Sequence, residues 1–419
     1  MEKPENFVIT CWCGIPPKFI RNADGSLATE RLAEMKNAGL NLIPVYDYGY
    51  ETNREVLREC EKLGLKVLLI DDRVAEAQKE GADRRALISA VVKDYSEFAA
   101  LDSYYVKDEP SSSDFPILAE IRDLFAELDP KHHAYVNLFP NYCSARRLGN
   151  DTYEEHVREY TDVVRPSFVS YDHYHFLKPK TVEAVDTGDE RENDIIKDAL
   201  KTSNREGFFN NAEDVRKVCL EKNIPFMVII LLVEHLAYRN PTEAEIRWEA
   251  WQSVAYGAKM LSYFTYWTPS VDGDDGDDHY NWQHGMINKD GTRDPHYDMV
   301  KRINVELQTV GDFLLPYVPE AVFHLGGVVE SKSTAWVGAY REVEELSASE
   351  LTVSFYPEGY LFLANKDYID EADVKLRVKD GMTVTSFDKA TGVWTPVAVN
   401  GNAVELTIAA GDAALLRIE

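Results

Sequence analysis

The sequence predicts a (β/α)8 barrel, a TIM barrel, followed by a small all-β sandwich. Three observations predict it. Short apolar runs and segments of helical period alternate through residues 7–314. The apolar runs hardly alternate with polar residues, as expected of strands buried on both faces. From about Pro319 the helical period vanishes, and short strand-like runs separated by turn residues take over.

The elements follow in order. Phe7–Cys13 is a β-branched run ending at Gly14, and Thr29–Asn37 has helical spacing and stops at Gly39. Asn41–Tyr46 and Asn53–Leu63, closed by Gly64, repeat the pair; Lys66–Ile70 and Arg84–Ala99 repeat it again. Ser103–Val106 is the fourth strand. Phe115–Leu128 is its helix, with Asp114 as N-cap and Asp129-Pro130 as stop. His133–Leu138 and Tyr153–Val163 form the fifth pair, and Phe168–Tyr171 and Ala212–Glu221 the sixth. Phe226–Val233, the helix Thr242–Tyr256 ended by Gly257, Lys259–Tyr266 and Pro295–Leu314 complete the series. A doubly wound open sheet is the competing fold, but Cys13-Gly14-Ile15-Pro16-Pro17 lacks the glycine-rich phosphate turn such a sheet carries after its first strand. The second unit is read from Ala321–Leu325, Leu351–Phe355, Tyr360–Ala364, Val374–Val378, Val384–Phe387, Val404–Ile408 and Ala413–Ile418. The domains expected are therefore 1–318 and 319–419.

The 419 residues hold 72 acidic against 45 basic side chains, a formal net charge of −27. Such a surface repels nucleic acid and anionic lipid and leaves a neutral partner such as a carbohydrate unopposed. No apolar run is long enough to span a bilayer. The first residues, Met1-Glu2-Lys3-Pro4-Glu5-Asn6, show no signal-peptide pattern. Five scattered cysteines read as reduced core thiols rather than a disulfide framework. Together these point to a cytoplasmic protein. Homo-oligomerisation stays open.

A carboxylate stands just beyond each of two strands. Glu109 ends Tyr104-Tyr105-Val106-Lys107-Asp108-Glu109-Pro110, and Glu234 follows the run Phe226–Val233. In a barrel, residues after the fourth and seventh strands face each other across the catalytic mouth. Two opposed carboxyls are what glycosidic bond cleavage requires, roughly 5–5.5 Å apart for retention of configuration. Other strand ends supply candidate sugar contacts: Trp12, Asp47, Asp108, Asn137, Tyr171, Asp172, His173, His175, Tyr266, Trp267, His279 and Trp282. Sugars stack their C–H faces on indole and phenol rings, and Trp267 is the expected platform. Asp172, His173 and His175 also resemble part of a metal site and carry the alternative of a metal-dependent hydrolase, but zinc needs a third ligand of the right type. We expect no cofactor and no metal. The acidic loop 272–278 partly resembles a calcium loop and lacks the closing glutamate. A non-catalytic sugar-binding barrel is a further alternative. No nucleophile-elbow or P-loop motif is present.

With these residues in view, the chain resembles bacterial (β/α)8 glycoside hydrolases of the large retaining clan that includes many β-galactosidases. The resemblance rests on Trp12-Cys13-Gly14-Ile15-Pro16-Pro17, on Lys107-Asp108-Glu109-Pro110, on Tyr135-Val136-Asn137-Leu138, on Tyr238-Arg239-Asn240-Pro241-Thr242 and on Tyr263-Phe264-Thr265-Tyr266-Trp267. It implies that Glu109 is the acid/base and Glu234 the nucleophile of a retaining glycosidase. Asp108 stands where that clan usually carries an asparagine that touches the sugar 2-hydroxyl. The polar stretch 177–210 and the acidic eighth loop suggest a closed pocket, hence exo action on short oligosaccharides or glycosides.

Overall fold

The structure, a computed structural model, describes residues 5–179, 200–270 and 280–419. His279, the loop 272–278 and most of the 177–210 stretch lie outside the described residues. Eight parallel strands form one sheet: β1 (Val8–Cys11), β2 (Leu42–Val45), β3 (Lys66–Leu69), β4 (Leu101–Asp108), β5 (His133–Leu138), β6 (Val169–Asp172), β7 (Phe226–Leu231) and β8 (Met260–Phe264). Consecutive strands pair from β2 to β8, and β8 pairs with β1 from Val8↔Met260 to Cys11↔Tyr263. Asn41 joins the remaining edges. Its backbone N–H donates to Ile9 O at 3.0 Å, and its Oδ1 accepts from Ile9 N at 2.9 Å. The sheet is thus a barrel.

The helices are α1 (Thr29–Asn37), α2 (Tyr50–Leu63), α3 (Asp72–Glu76), α4 (Arg84–Tyr95), α5 (Phe115–Leu128), α6 (Ala145–Leu148), α7 (Tyr153–Val163), α8 (Phe208–Lys222), α9 (Glu243–Ala255) and α10 (Pro295–Leu314). All six residues of β7 are buried, which explains its unbroken apolar run: one face meets the barrel interior and the other the helices. Inside, Leu42, Leu68, Tyr135, Met227 and Met260 form a layer with Trp12, Tyr105 and Phe168 packed on it.

The second unit is all antiparallel. β9 (Ala321–Leu325), β11 (Leu351–Phe355), β12 (Tyr360–Asn365), β14 (Val384–Phe387), β15 (Trp394–Pro396) and β17 (Ala413–Ile418) make one sheet; β10 (Val343–Ser347), β13 (Ala372–Val378) and β16 (Ala403–Ile408) make the other. β13 alternates strictly between buried and exposed. Its Val374, Leu376 and Val378 share a core with Val353, Leu361, Leu363 and Leu416 of the facing sheet, as a sandwich requires.

This unit covers the outer face of α9. Trp248 Nε1 donates to Lys366 O (2.9 Å), Gln252 Nε2 to Asn365 O (3.1 Å), and the hydroxyls of Ser354 and Tyr356 donate to Ala255 O and Val254 O (both 2.7 Å). Ten of the thirteen α9 residues are buried for that reason, which leaves the helix without the polar face of a surface helix. α8 starts four residues earlier than its apolar spacing suggests. Gly207, at φ 91°, turns the chain, and Glu330 caps the helix by accepting from Gly207 N (3.0 Å) and Asn210 N (2.7 Å). The five cysteines are free thiols. No helix among the described residues is long and apolar enough to cross a membrane.

Candidate active site

The candidate site centres on the last residues of β4, β5 and β6. Asp108 and Asn137 are register partners on β4 and β5. Asn137 Nδ2 donates to Asp108 Oδ1 and to Asp172 Oδ1, both at 3.1 Å. Its Oδ1 accepts from Ser170 Oγ at 2.9 Å, and Ser170 Oγ lies 3.0 Å from the Tyr135 hydroxyl. The amide orientation is therefore fixed: an oxygen facing Ser170 sends both N–H groups to the carboxylates. Strand alternation puts Ser170 and Asp172 on the interior face of β6 and turns Tyr171 outward.

Glu109 follows directly. Its backbone N–H donates to Asn137 O at 2.8 Å, and its φ of 46° lies in the left-handed region. For a non-glycine residue that costs on the order of 1–3 kcal/mol, a cost typical of functional sites. Burial, then the charge of Asp108, push its carboxyl up to about 7, with Arg147 opposing. Arg147 Nη2 is 3.4 Å from Glu109 Oε2. Burial first, then Glu109 and Asp108, hold the Asp172 carboxyl well above the usual range. Burial also raises Asp108, although its side chain opens to solvent, and Asn137 opposes that rise. All three carboxyls are thus raised, each by burial first.

Glu234 lies three residues past the end of β7. Leu232 N and Val233 N both turn to Phe264 O, and Glu234 exchanges two backbone hydrogen bonds with Gln283, at 2.8 and 3.0 Å. Its Oε1 is 2.8 Å from Lys178 Nζ, and Lys178 is itself tied by its N–H to Ala237 O. Around it stand rings: His235 stacks on Trp282 at 4.3 Å, and Tyr174 stacks on Phe264 at 5.1 Å and meets Tyr238 edge-on at 5.5 Å. Tyr174 packs against this wall, and after burial the charges of Asp172, Tyr142, Asp108 and Glu109 push its phenol up.

Trp12 lies edge-on to Tyr105 at 5.9 Å and tilted to Tyr135 at 6.4 Å, forming an aromatic floor under the carboxyls. Asp47 spends its carboxylate on the backbone N–H groups of Gly49 and Asp72. Several expected sugar contacts face elsewhere. Tyr171 is buried toward α8, where Cys219 and Asp214 are its charge neighbours. His175 stacks on Trp248 of α9 at 4.5 Å. Tyr266 is fully buried. Trp267 is a core ring, against Phe19 at 4.7 Å and under the Arg31 guanidinium at 5.1 Å. His173 is buried, bonds Asn211 Oδ1 through Nδ1 at 3.2 Å, and is pushed down to about 3 by burial. Asp172 faces the barrel interior while His175 faces α9, so this trio does not converge. Among the described residues no cluster of three or more His, Cys, Asp or Glu is placed to hold a metal ion.

Sequence reasoning missed Tyr142, Tyr174, Lys178, Arg147, Arg205 and Tyr238 as mouth residues. All but Arg147, which lies on the short helix α6, are on loops, where no periodicity marks direction; only the polarity of the 177–210 stretch signalled Lys178 and Arg205.

No family model matches the sequence, and comparison with curated proteins by sequence finds no match. Solved structures do match. A GH42 β-galactosidase from G. stearothermophilus superposes with a TM-score of 0.60 at 9% identity, covering 99% of each chain. A β-galactosidase from Bacillus circulans sp. alkalophilus gives 0.60 at 10% identity, again over 99% of each. The fold is that of barrel glycoside hydrolases. A family 5 glycoside hydrolase from Bacteroides vulgatus gives 0.57 at 10% identity over 98% of this chain and 88% of its own.

Proposed function

We propose that the protein is a retaining glycoside hydrolase with Glu109 as acid/base and Glu234 as nucleophile. The observation that carries this reading is the state of Glu109, a carboxyl at the end of β4 pushed up to about 7. A group that keeps its proton near neutrality and can still give it up suits general acid and then general base work. Its partner differs as the chemistry demands: Glu234 is ion-paired with Lys178 through Oε1, which leaves Oε2 to attack.

In the first step Glu234 attacks the anomeric carbon while Glu109 protonates the departing glycosidic oxygen. A glycosyl-enzyme forms. Glu109, now ionised, takes a proton from water, which attacks the same carbon and frees Glu234. Trp12 and the wall of Tyr174, Phe264 and Trp282 supply faces for sugar C–H groups. The structural neighbours, named as β-galactosidases and glycoside hydrolases, support the reaction class. We read the action as exo, on short glycosides; release of internal fragments from a polymer overturns that part.

The test is Glu234→Ala assayed on chromogenic glycosides of varied sugar and anomer, with and without azide. The variant loses activity, and azide restores cleavage as a glycosyl azide. A variant that stays fully active without azide overturns the assignment.

A further inference from the structure

We infer that Arg205, Tyr142 and Tyr238 form a carboxylate-binding subsite, so that the sugar this mouth accepts carries an acid group, as a uronic acid does. The inference goes beyond the hydrolase reading but shares its cavity.

Arg205 comes from the segment entering α8, where its backbone N–H donates to His175 O at 2.7 Å. Its guanidinium lies 4.0 Å over the ring of Tyr142 and 5.3 Å from that of Tyr238. Nη2 donates to the Tyr238 hydroxyl at 2.9 Å, which lies 3.5 Å from the Tyr142 hydroxyl. Nε is buried with no hydrogen-bond partner. Among the described residues no carboxylate pairs with Arg205, and the histidines whose titration it influences, His173 and His175, are held neutral by burial.

Counting donors and acceptors shows what is missing. A guanidinium offers five N–H groups and each phenol one O–H. The Tyr238 oxygen takes one N–H, and the two phenols, 3.5 Å apart, make at best one weak bond between them. The cluster is rich in donors, and among the described residues its positive charge has no carboxylate partner in a half-buried place, where a bound anion repays desolvation. Burial, then the charge of Asp172, push the Tyr142 phenol up, so it stays an O–H donor. Tyr142 is 36% exposed, so the subsite is open to solvent.

The location fits a sugar in the mouth. Tyr238 meets Tyr174, a ring of the wall beside Glu234 whose phenol is also raised by the charge of Glu109. Asp172, the carboxyl in charge range of Tyr142, is pushed toward its neutral form and so opposes an anion less. The net charge of −27 repels anions at long range, but that field is screened within about 8 Å at physiological salt. The local guanidinium decides the outcome at contact.

The test pairs two measurements on the full chain. Calorimetry compares glucuronate and galacturonate with glucose and galactose for wild type, Arg205→Met and Arg205→Lys. Hydrolysis compares 4-nitrophenyl uronides with the matching neutral glycosides. The expected result is that wild type binds one uronate at least tenfold tighter than its neutral counterpart, and that Arg205→Met removes the preference while Arg205→Lys keeps part of it. If Arg205→Met does not fold, Tyr142→Phe with Tyr238→Phe must reduce the same preference. Equal binding of acid and neutral sugars, or a preference that survives Arg205→Met, overturns the subsite and leaves the hydrolase reading standing. Uronate binding that depends on Arg205 without hydrolysis of any glycoside keeps the subsite and overturns the hydrolase reading. Tighter binding of a 6-sulfated galactoside than of either uronate overturns the choice of carboxylate.

Discussion

Asp108 and Asp172 share one amide: each accepts a single N–H from Asn137 Nδ2 at 3.1 Å. The bridge holds two carboxyls beside Glu109: after burial, the charge of Asp108 raises the Glu109 carboxyl, and Glu109 and Asp108 in turn raise Asp172. Glu109 is thus tuned by its chain neighbour Asp108, which Asn137 holds from the next strand.

In the role proposed above, the proton on Glu109 sets an alkaline limit to activity. As general acid it must be protonated, so kcat/KM falls as pH rises through about 7. Asp108→Asn removes the second largest cause of the upward shift. The alkaline limb of the pH profile then moves to lower pH; a limb that stays or moves upward contradicts the assignment. The folded state holds this proton to higher pH than the unfolded chain, so Glu109's contribution to stability falls between pH of about 4.5 and about 7.

Glu109→Gln keeps the shape and removes the proton. Hydrolysis of glycosides with poor leaving groups falls roughly 10²–10⁴-fold, and that of 4-nitrophenyl glycosides falls less, because their leaving group needs no acid. Equal losses with both kinds of substrate would argue against a general acid.

Lys178→Met releases Glu234 Oε1. The pair is partly exposed, so its stabilising value is small, and the melting temperature should hardly change. The rate is more sensitive, since one carboxylate oxygen loses its anchor; a roughly tenfold fall in kcat/KM is expected, the scale of a charged hydrogen bond discounted for solvent. An unchanged rate shows that Lys178 only covers the resting site.

Asn137→Ala removes the amide that donates to Asp172 Oδ1, whereas Ser170 Oγ keeps the Tyr135 hydroxyl. One unsatisfied buried group costs about 1–3 kcal/mol. Urea unfolding monitored by tryptophan fluorescence measures the loss. A variant as stable as wild type would show that Asp172 finds another donor.

Much of this was legible in the chain. Strand Phe226–Val233 and the fourth-strand ending Asp108-Glu109-Pro110 announced themselves, because a doubly buried strand has to be apolar and its C-terminal end has to be the mouth. The fate of the next residues was not legible. Trp267 reads as a platform and Tyr266 as a sugar contact, yet Tyr266 is fully buried and the Trp267 ring goes into the core against Phe19 and Arg31. Tyr171 and His175 read as contacts because the sixth strand ends in polar and aromatic residues, but a single residue of alternation decides between mouth and helix layer. α3 and the edge strands β10 and β15 escaped notice; β10 reads Val-Glu-Glu-Leu-Ser and β15 carries a proline, and neither shows a long apolar run. Arg205 and Tyr142 meet only through folding.

Glu109 occupies a backbone conformation that glycine adopts without strain, and it sits among groups that repel its ionised form. Replacement by glycine would relax the turn and relieve the crowding at one stroke. A screen that rewards heat resistance alone should therefore drift toward discarding this residue early, trading away chemistry for sturdiness.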